Sequence, residues 1–160
     1  MFKESLIYII FPLLFMTHEI EEILFLPPFV KSLKATNHHQ LIRKIPSINT
    51  CQFTLIVLEQ LIMILMFSLY CYWKDAISLY IVLIFVYIFH IAIHYGQSFM
   101  IRKIVPGLYC GTLSTIILLY FILNMKVDYG IVLRAVPIIL GIGVLNLIVM
   151  HQYVGGKFRC

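Results

Sequence analysis

The stretch FMTHEIEEILFL, residues 15–26, decides how the chain is read. Its apolar residues continue a run that begins near Ser5, long enough for a membrane-spanning helix, yet His18, Glu19, Glu21 and Glu22 fall within five consecutive positions. A carboxylate near the middle of a transmembrane helix costs about 2.5–3.5 kcal/mol, so three of them, all ionised, would cost on the order of 10 kcal/mol. Lysine and arginine are absent from the deep part of every apolar run, so no side-chain cation offsets that cost. What remains is a bound cation, protonated glutamates, or pairing with imidazolium. A divalent cation with histidine nitrogen and glutamate oxygen ligands answers the cost directly.

The composition around this stretch agrees with a membrane setting. The 160 residues are 62% hydrophobic and 12% charged, with a mean hydropathy of +0.99, where a soluble domain is roughly half apolar and a quarter charged. An all-α integral membrane bundle forming a single domain over residues 1–160 is expected. A span needs about 20 largely apolar residues, and five such runs are read at about 5–26, 52–72, 76–99, 104–125 and 130–151. Pro27-Pro28 is expected to end the first, since proline lacks the amide donor of a continuing helix. The initial run has no small-residue cleavage site before THEIEE and is read as a retained span and not a signal peptide.

Most basic residues lie between the apolar runs. Lys31, Lys34, Arg43, Lys44, Arg102, Lys103, Lys157 and Arg159 fall on one side and Lys3, Lys74, Lys126 and Arg134 on the other, eight against four. That asymmetry places the N-terminus outside and the C-terminus in the cytoplasm. The net charge of +5 therefore belongs to membrane flanks; the bilayer is the expected partner, and nucleic acid is not. Cys51, Cys71, Cys110 and Cys160 form no CxxC pair, and with three of them toward the reducing side no disulfide is expected.

Spacing and depth then pick out a site. His18, Glu21 and Glu22 stand at i, i+3 and i+4 and share a helix face, while Glu19 points well to the side. His90 and His94, in FHIAIHYGQS, stand at i and i+4, a spacing that can place two imidazoles on one ion, and Gln97 continues their stripe. At about 1.5 Å per residue, His18, His90 and Glu59 reach compatible depths in the middle to inner half of the bilayer. Gly111, Thr112 and Ser114 supply small and hydroxyl-bearing positions on the fourth span, and Asn146 and His151 lie toward the same side on the fifth. The metal ligands expected are His18, Glu21, Glu22, His90 and His94. Glu19 and Glu59 are candidate catalytic carboxylates, and His38 and His39 read as solvated loop residues.

At HEIEE, His18 to Glu22, the chain resembles the bacterial membrane-protein family named for its HXXEE motif, matched in full by His18, Glu21 and Glu22. The later pair His90 and His94 and the layout of spans are similar over nearly the whole length. The resemblance implies a small multi-pass protein of the inner cell membrane with a metal-binding centre, and it leaves the reaction open. A fainter likeness to intramembrane glutamate-type prenyl-protein proteases lacks that family's arginine after the glutamate pair, since residues 23–26 are ILFL. Di-iron carboxylate bundles use Glu-x-x-His, the reverse order.

The expected function is a metal-dependent enzyme, a hydrolase before an oxidase, holding zinc or iron and acting on a lipid or other hydrophobic, membrane-embedded substrate. A metal-ion or proton transporter, and a non-enzymatic membrane subunit with a polar core, are the alternatives from other classes.

Overall fold

The computed structural model describes residues 2–36 and 49–157. The described residues form five α-helices and no strand: α1 (Phe2–Thr36), α2 (Thr50–Trp73), α3 (Ile77–Ile101), α4 (Leu108–Leu123) and α5 (Tyr129–Lys157). His38 and His39 lie outside the described residues. Three helices, α2, α3 and α5, are long and apolar enough to cross a membrane, and α4 is a shorter apolar helix. Their outward faces carry large apolar side chains in the open, among them Leu69, Trp73, Phe99, Met100 and Leu123. A soluble monomer rarely exposes contiguous apolar surface on that scale, whereas lipid tails accept it.

Successive helices run in alternating directions. α1 packs between α2 and α4, α3 touches α2 and α4, and α5 lies against α2 and α3. α1 and α3 thus face each other across the middle, running the same way, and long side chains bridge them. Tyr8 meets Tyr80 with ring centroids 4.5 Å apart, Phe11 meets Tyr87 at 5.5 Å, Phe15 meets Tyr87 at 6.3 Å, and His18 meets His90 at 5.4 Å. Such aromatic pairs contribute about 0.5–1.5 kcal/mol each beyond the area they bury. The ladder sets the register of α1 on α3, and its last rungs are the histidines.

Backbone-directed bonds fix the flanking helices. Ser68 Oγ donates to the Tyr8 carbonyl across α1 and α2 at 2.7 Å, and Ser114 Oγ to the Leu14 carbonyl across α1 and α4 at 3.4 Å. Asn49 caps α2 through a reciprocal pair with Gln52, each side chain accepting from the other's backbone N–H. α5 is held to α2 by Asn146, whose amide donates to Glu59 Oε1 at 2.9 Å. Glu59 Oε2 is buried with no hydrogen-bond partner. Asn146→Leu would leave the carboxylate without its donor, a loss of about 1–3 kcal/mol. The expected result is a melting temperature in detergent lower by several degrees, at roughly 2–4 °C per kcal/mol, with metal content unchanged.

Three expectations are corrected. α1 does not stop at residue 26: Pro27 and Pro28 lie inside it. Proline's fixed φ suits a helix, and what is lost is two i→i−4 bonds, which a membrane helix tolerates. The extra turns bring Leu33 into a buried position, 2% exposed. α4 starts at Leu108 and not near residue 104, because the α3–α4 connection folds back along α3. Ser98 Oγ accepts the Val105 N–H at 3.0 Å, and Val105, Pro106 and Gly107 are buried. Finally, Cys51 is disulfide-bonded, while Cys71 and Cys110 are free thiols. The expectation of none rested on a charge count along the chain, but meeting geometry decides whether sulfurs bond.

Candidate metal centre

The cluster is built by two helices and braced by a third. On α1, His18 is fully buried and Glu19 and Glu22 are each 5% exposed; on α3, His94 is 5% exposed and His90 is half-buried. His90 Nε2 stands 3.3 Å from His18 Nε2 and 2.9 Å from His94 Nε2. Glu22 Oε1 lies 2.9 Å from His94 Nε2 and 3.8 Å from His18 Nε2. One ligand atom from each of His18, Glu22, His90 and His94 falls within 4.8 Å of all the others.

Two observations test whether a cation fits there. Bonds of about 2.0–2.1 Å to a tetrahedral zinc separate neighbouring ligand atoms by about 3.3 Å, and the four distances above straddle that value. The second is polar satisfaction. His18 Nδ1 lies 2.9 Å from the Gly107 carbonyl, which can only accept, so Nδ1 carries a proton and Nε2 is the nitrogen turned toward the cluster, free to act as a ligand in the neutral ring. His90 Nε2 can donate to at most one of its two histidine neighbours, and Glu22 Oε1 is buried with no properly angled hydrogen bond. Imidazole nitrogens converging with a carboxylate oxygen are the donor set that a divalent cation satisfies. The residues fit zinc or iron.

The structure distributes the other expected residues differently. Glu21, half-buried, turns away from the four and accepts the Cys110 N–H through Oε2 at 2.8 Å. Glu19 does not point aside: its Oε1 reaches 3.9 Å from His18 Nε2. Glu59 is on α2, bonded to Asn146. Gln97 and His151 are exposed. Gly111 and Ser114 face inward on α4, while Thr112 bonds the Leu108 carbonyl and the Tyr95 hydroxyl. The sequence reading brought Gly111, Thr112 and Ser114 of α4 toward the site but missed the Gly107 carbonyl and the Cys110 N–H at its start. The sequence signal for that start is Pro106-Gly107 ahead of an apolar run, counted within the fourth span.

The helices and cluster define an all-helical protein with candidate membrane spans and a His/Glu group able to hold a metal ion. Residues 9–123, well over half of the chain, match the model of the family described as "protein of unknown function with HXXEE motif". The chain belongs to that family. The match includes all four cluster residues and α4, and ends before α5. No curated protein and no solved structure matches the chain.

Proposed function

We propose that the protein is an intramembrane metal-dependent enzyme, a hydrolase acting on a lipid or other membrane-embedded substrate. The observation that carries this reading is the buried convergence of His18, Glu22, His90 and His94, with a further buried carboxylate, Glu19, beside it. A zinc or iron ion, when bound, supplies Lewis-acid activation of water at neutral pH. The chain's own residues do the rest. His18 is fixed by the Gly107 carbonyl so that one nitrogen faces the centre. Glu19, close to His18 Nε2 with no hydrogen bond committed elsewhere, is placed to take a proton from the attacking water and return it to the leaving group.

A lipid-like substrate is favoured by the surface next to the centre. A groove of about 340 Å³ runs between α3 and α4, lined by Tyr95, Ile104, Leu108, Tyr109, Thr112 and Ile116. Tyr95 follows the cluster residue His94 along α3, and Leu108 follows Gly107, whose carbonyl meets His18, so the groove lies on the two segments that carry and brace the cluster. Its polar element is the Tyr95 hydroxyl, 2.6 Å from Thr112 Oγ1. Glu59, held by Asn146, serves the α2–α5 contact in this reading.

Glu19→Gln is the direct test. With metal-loaded protein in mixed vesicles of phospholipids and acyl esters, released products being followed by mass spectrometry, the variant is expected to keep its metal and turn over about 10²–10⁴-fold more slowly. Metal-loaded wild type that releases nothing from the panel would count against a hydrolase, and equal turnover in the variant would remove Glu19 from the chemistry.

A further inference from the structure

The two adjacent glutamates of the motif face different partners, and their separation is the clue. Glu22 Oε1 joins the imidazoles, whereas Glu21 Oε2 accepts from the backbone N–H of Cys110, the third residue of α4. The helix has no cap of its own: its N-cap residue is Gly107, with φ +90° and no side chain to accept the orphan amides of the first turn. A carboxylate there satisfies one of those amides and meets the positive end of the helix dipole. Within the same turn, the Gly107 carbonyl accepts from His18 Nδ1 at 2.9 Å. A Cβ on Gly111 would stand 3.1 Å from that same Nδ1, so the turn is packed directly on the back of the His18 ring.

We infer that Glu21 is a positioning residue and not a metal ligand: it caps α4 from α1, and so holds the Gly107 carbonyl where it sets the tautomer and direction of the His18 ring. The His-x-x-Glu-Glu motif then divides into a ligand, a clamp and a ligand. His18 and Glu22 face the ion, and Glu21 secures the piece of backbone that orients His18. The inference rests on the metal reading for its consequence but not for its geometry, which involves α1 and α4 alone.

Glutamine keeps an oxygen that can accept the Cys110 N–H but is a poor substitute for a carboxylate ligand, and alanine keeps neither. The test therefore compares Glu21→Gln, Glu21→Ala and Glu22→Gln by cobalt(II) affinity, by the visible spectrum of the cobalt-substituted protein, and by hydrogen exchange of the α4 first-turn amides in metal-free protein. Expected are a near wild-type affinity and spectrum for Glu21→Gln, and an affinity lower by about 10- to 100-fold with an altered spectrum for Glu21→Ala, the range seen when a residue behind a ligand is removed. First-turn amides should exchange faster in Glu21→Ala only. Loss of cobalt in Glu21→Gln to the extent seen in Glu22→Gln would make Glu21 a ligand and overturn the inference. Unchanged exchange in Glu21→Ala would overturn it as well. Should Glu21→Ala not fold, Glu21→Gln decides alone, since a clamp keeps the metal and a ligand loses it. Wild type that binds no cobalt would sink the metal reading, and the exchange comparison would still decide whether Glu21 clamps α4.

Discussion

His90→Ala and Glu22→Gln are each expected to abolish metal retention in protein purified in detergent, although the two residues lie on different helices. Wild type should carry near-stoichiometric zinc or iron by elemental analysis. Removing a residue behind a ligand already costs about 10- to 100-fold in affinity, so losing one of four ligands should exceed that and leave the variants empty after dialysis against a weak chelator. The effect on stability has an unusual sign. A ligand present at a hundred times its Kd stabilises the folded state by about 2.7 kcal/mol, and both variants lose that increment. Without metal, however, His90 holds its Nε2 against two other imidazole nitrogens at 3.3 and 2.9 Å. At most one of those two contacts can be a hydrogen bond through His90 Nε2, and the other is left unpaired. Metal-free His90→Ala should therefore melt no lower than metal-free wild type, and chelator should lower the melting temperature of wild type only. Full metal content in either variant would take that residue out of the centre.

The four clustered residues were legible because helical spacing paired them on each helix and depth matched His18 to His90, although spacing also admitted Glu21 and depth also admitted Glu59. His90 and His94 are one turn apart on α3, His18 and Glu22 one turn apart on α1, and the parallel course of the two helices makes equal depth equivalent to contact. The placements of Glu19 and Glu21 were not legible from the same arithmetic, and the reason is angular. At about 100° per residue, Glu22 lies about 40° to one side of His18, Glu19 about 100° to that same side, and Glu21 about 60° to the other. Glu21 and Glu22 share a face only on average, and a helix packed between two neighbours sends them to different ones. Which neighbour stands on which side is a property of the fold: α4 takes Glu21, and α3 takes Glu22. Nor could the sequence show that α4 begins inside the bundle. Residues 104–107 are apolar enough to be counted as span, and only the fold-back onto Ser98 moves the helix start down to the site. That buried start answers part of the electrostatic question posed by residues 15–26. One glutamate is placed for a cation, one is met by backbone amides, and one, Glu19, stays buried beside His18.

Among the described glycines, Gly107 should be the most damaging to replace with alanine. Gly107 has φ +90°, and an ideal Cβ there would stand 2.7 Å from His18 Cε1, 2.8 Å from Glu22 Oε1 and 2.9 Å from Glu22 Cγ. The cost has two independent parts. A non-glycine residue held in the left-handed region loses about 1–2 kcal/mol, and overpacking a filled interior adds about 1–3 kcal/mol. Neither contact can yield cheaply, because His18 is fully buried and Glu22 nearly so, and moving either one displaces a ligand atom. The variant should melt on the order of 10 °C lower in detergent and lose metal affinity together with stability. Gly96→Ala supplies the contrast. Gly96 is exposed within α3, and a Cβ there meets nothing within 4 Å, so alanine should raise stability by about 0.5–1 kcal/mol and leave the metal in place. If Gly107→Ala kept both its melting temperature and its metal, α4 would not begin against His18 and Glu22, and the brace behind the histidine would have to be sought elsewhere.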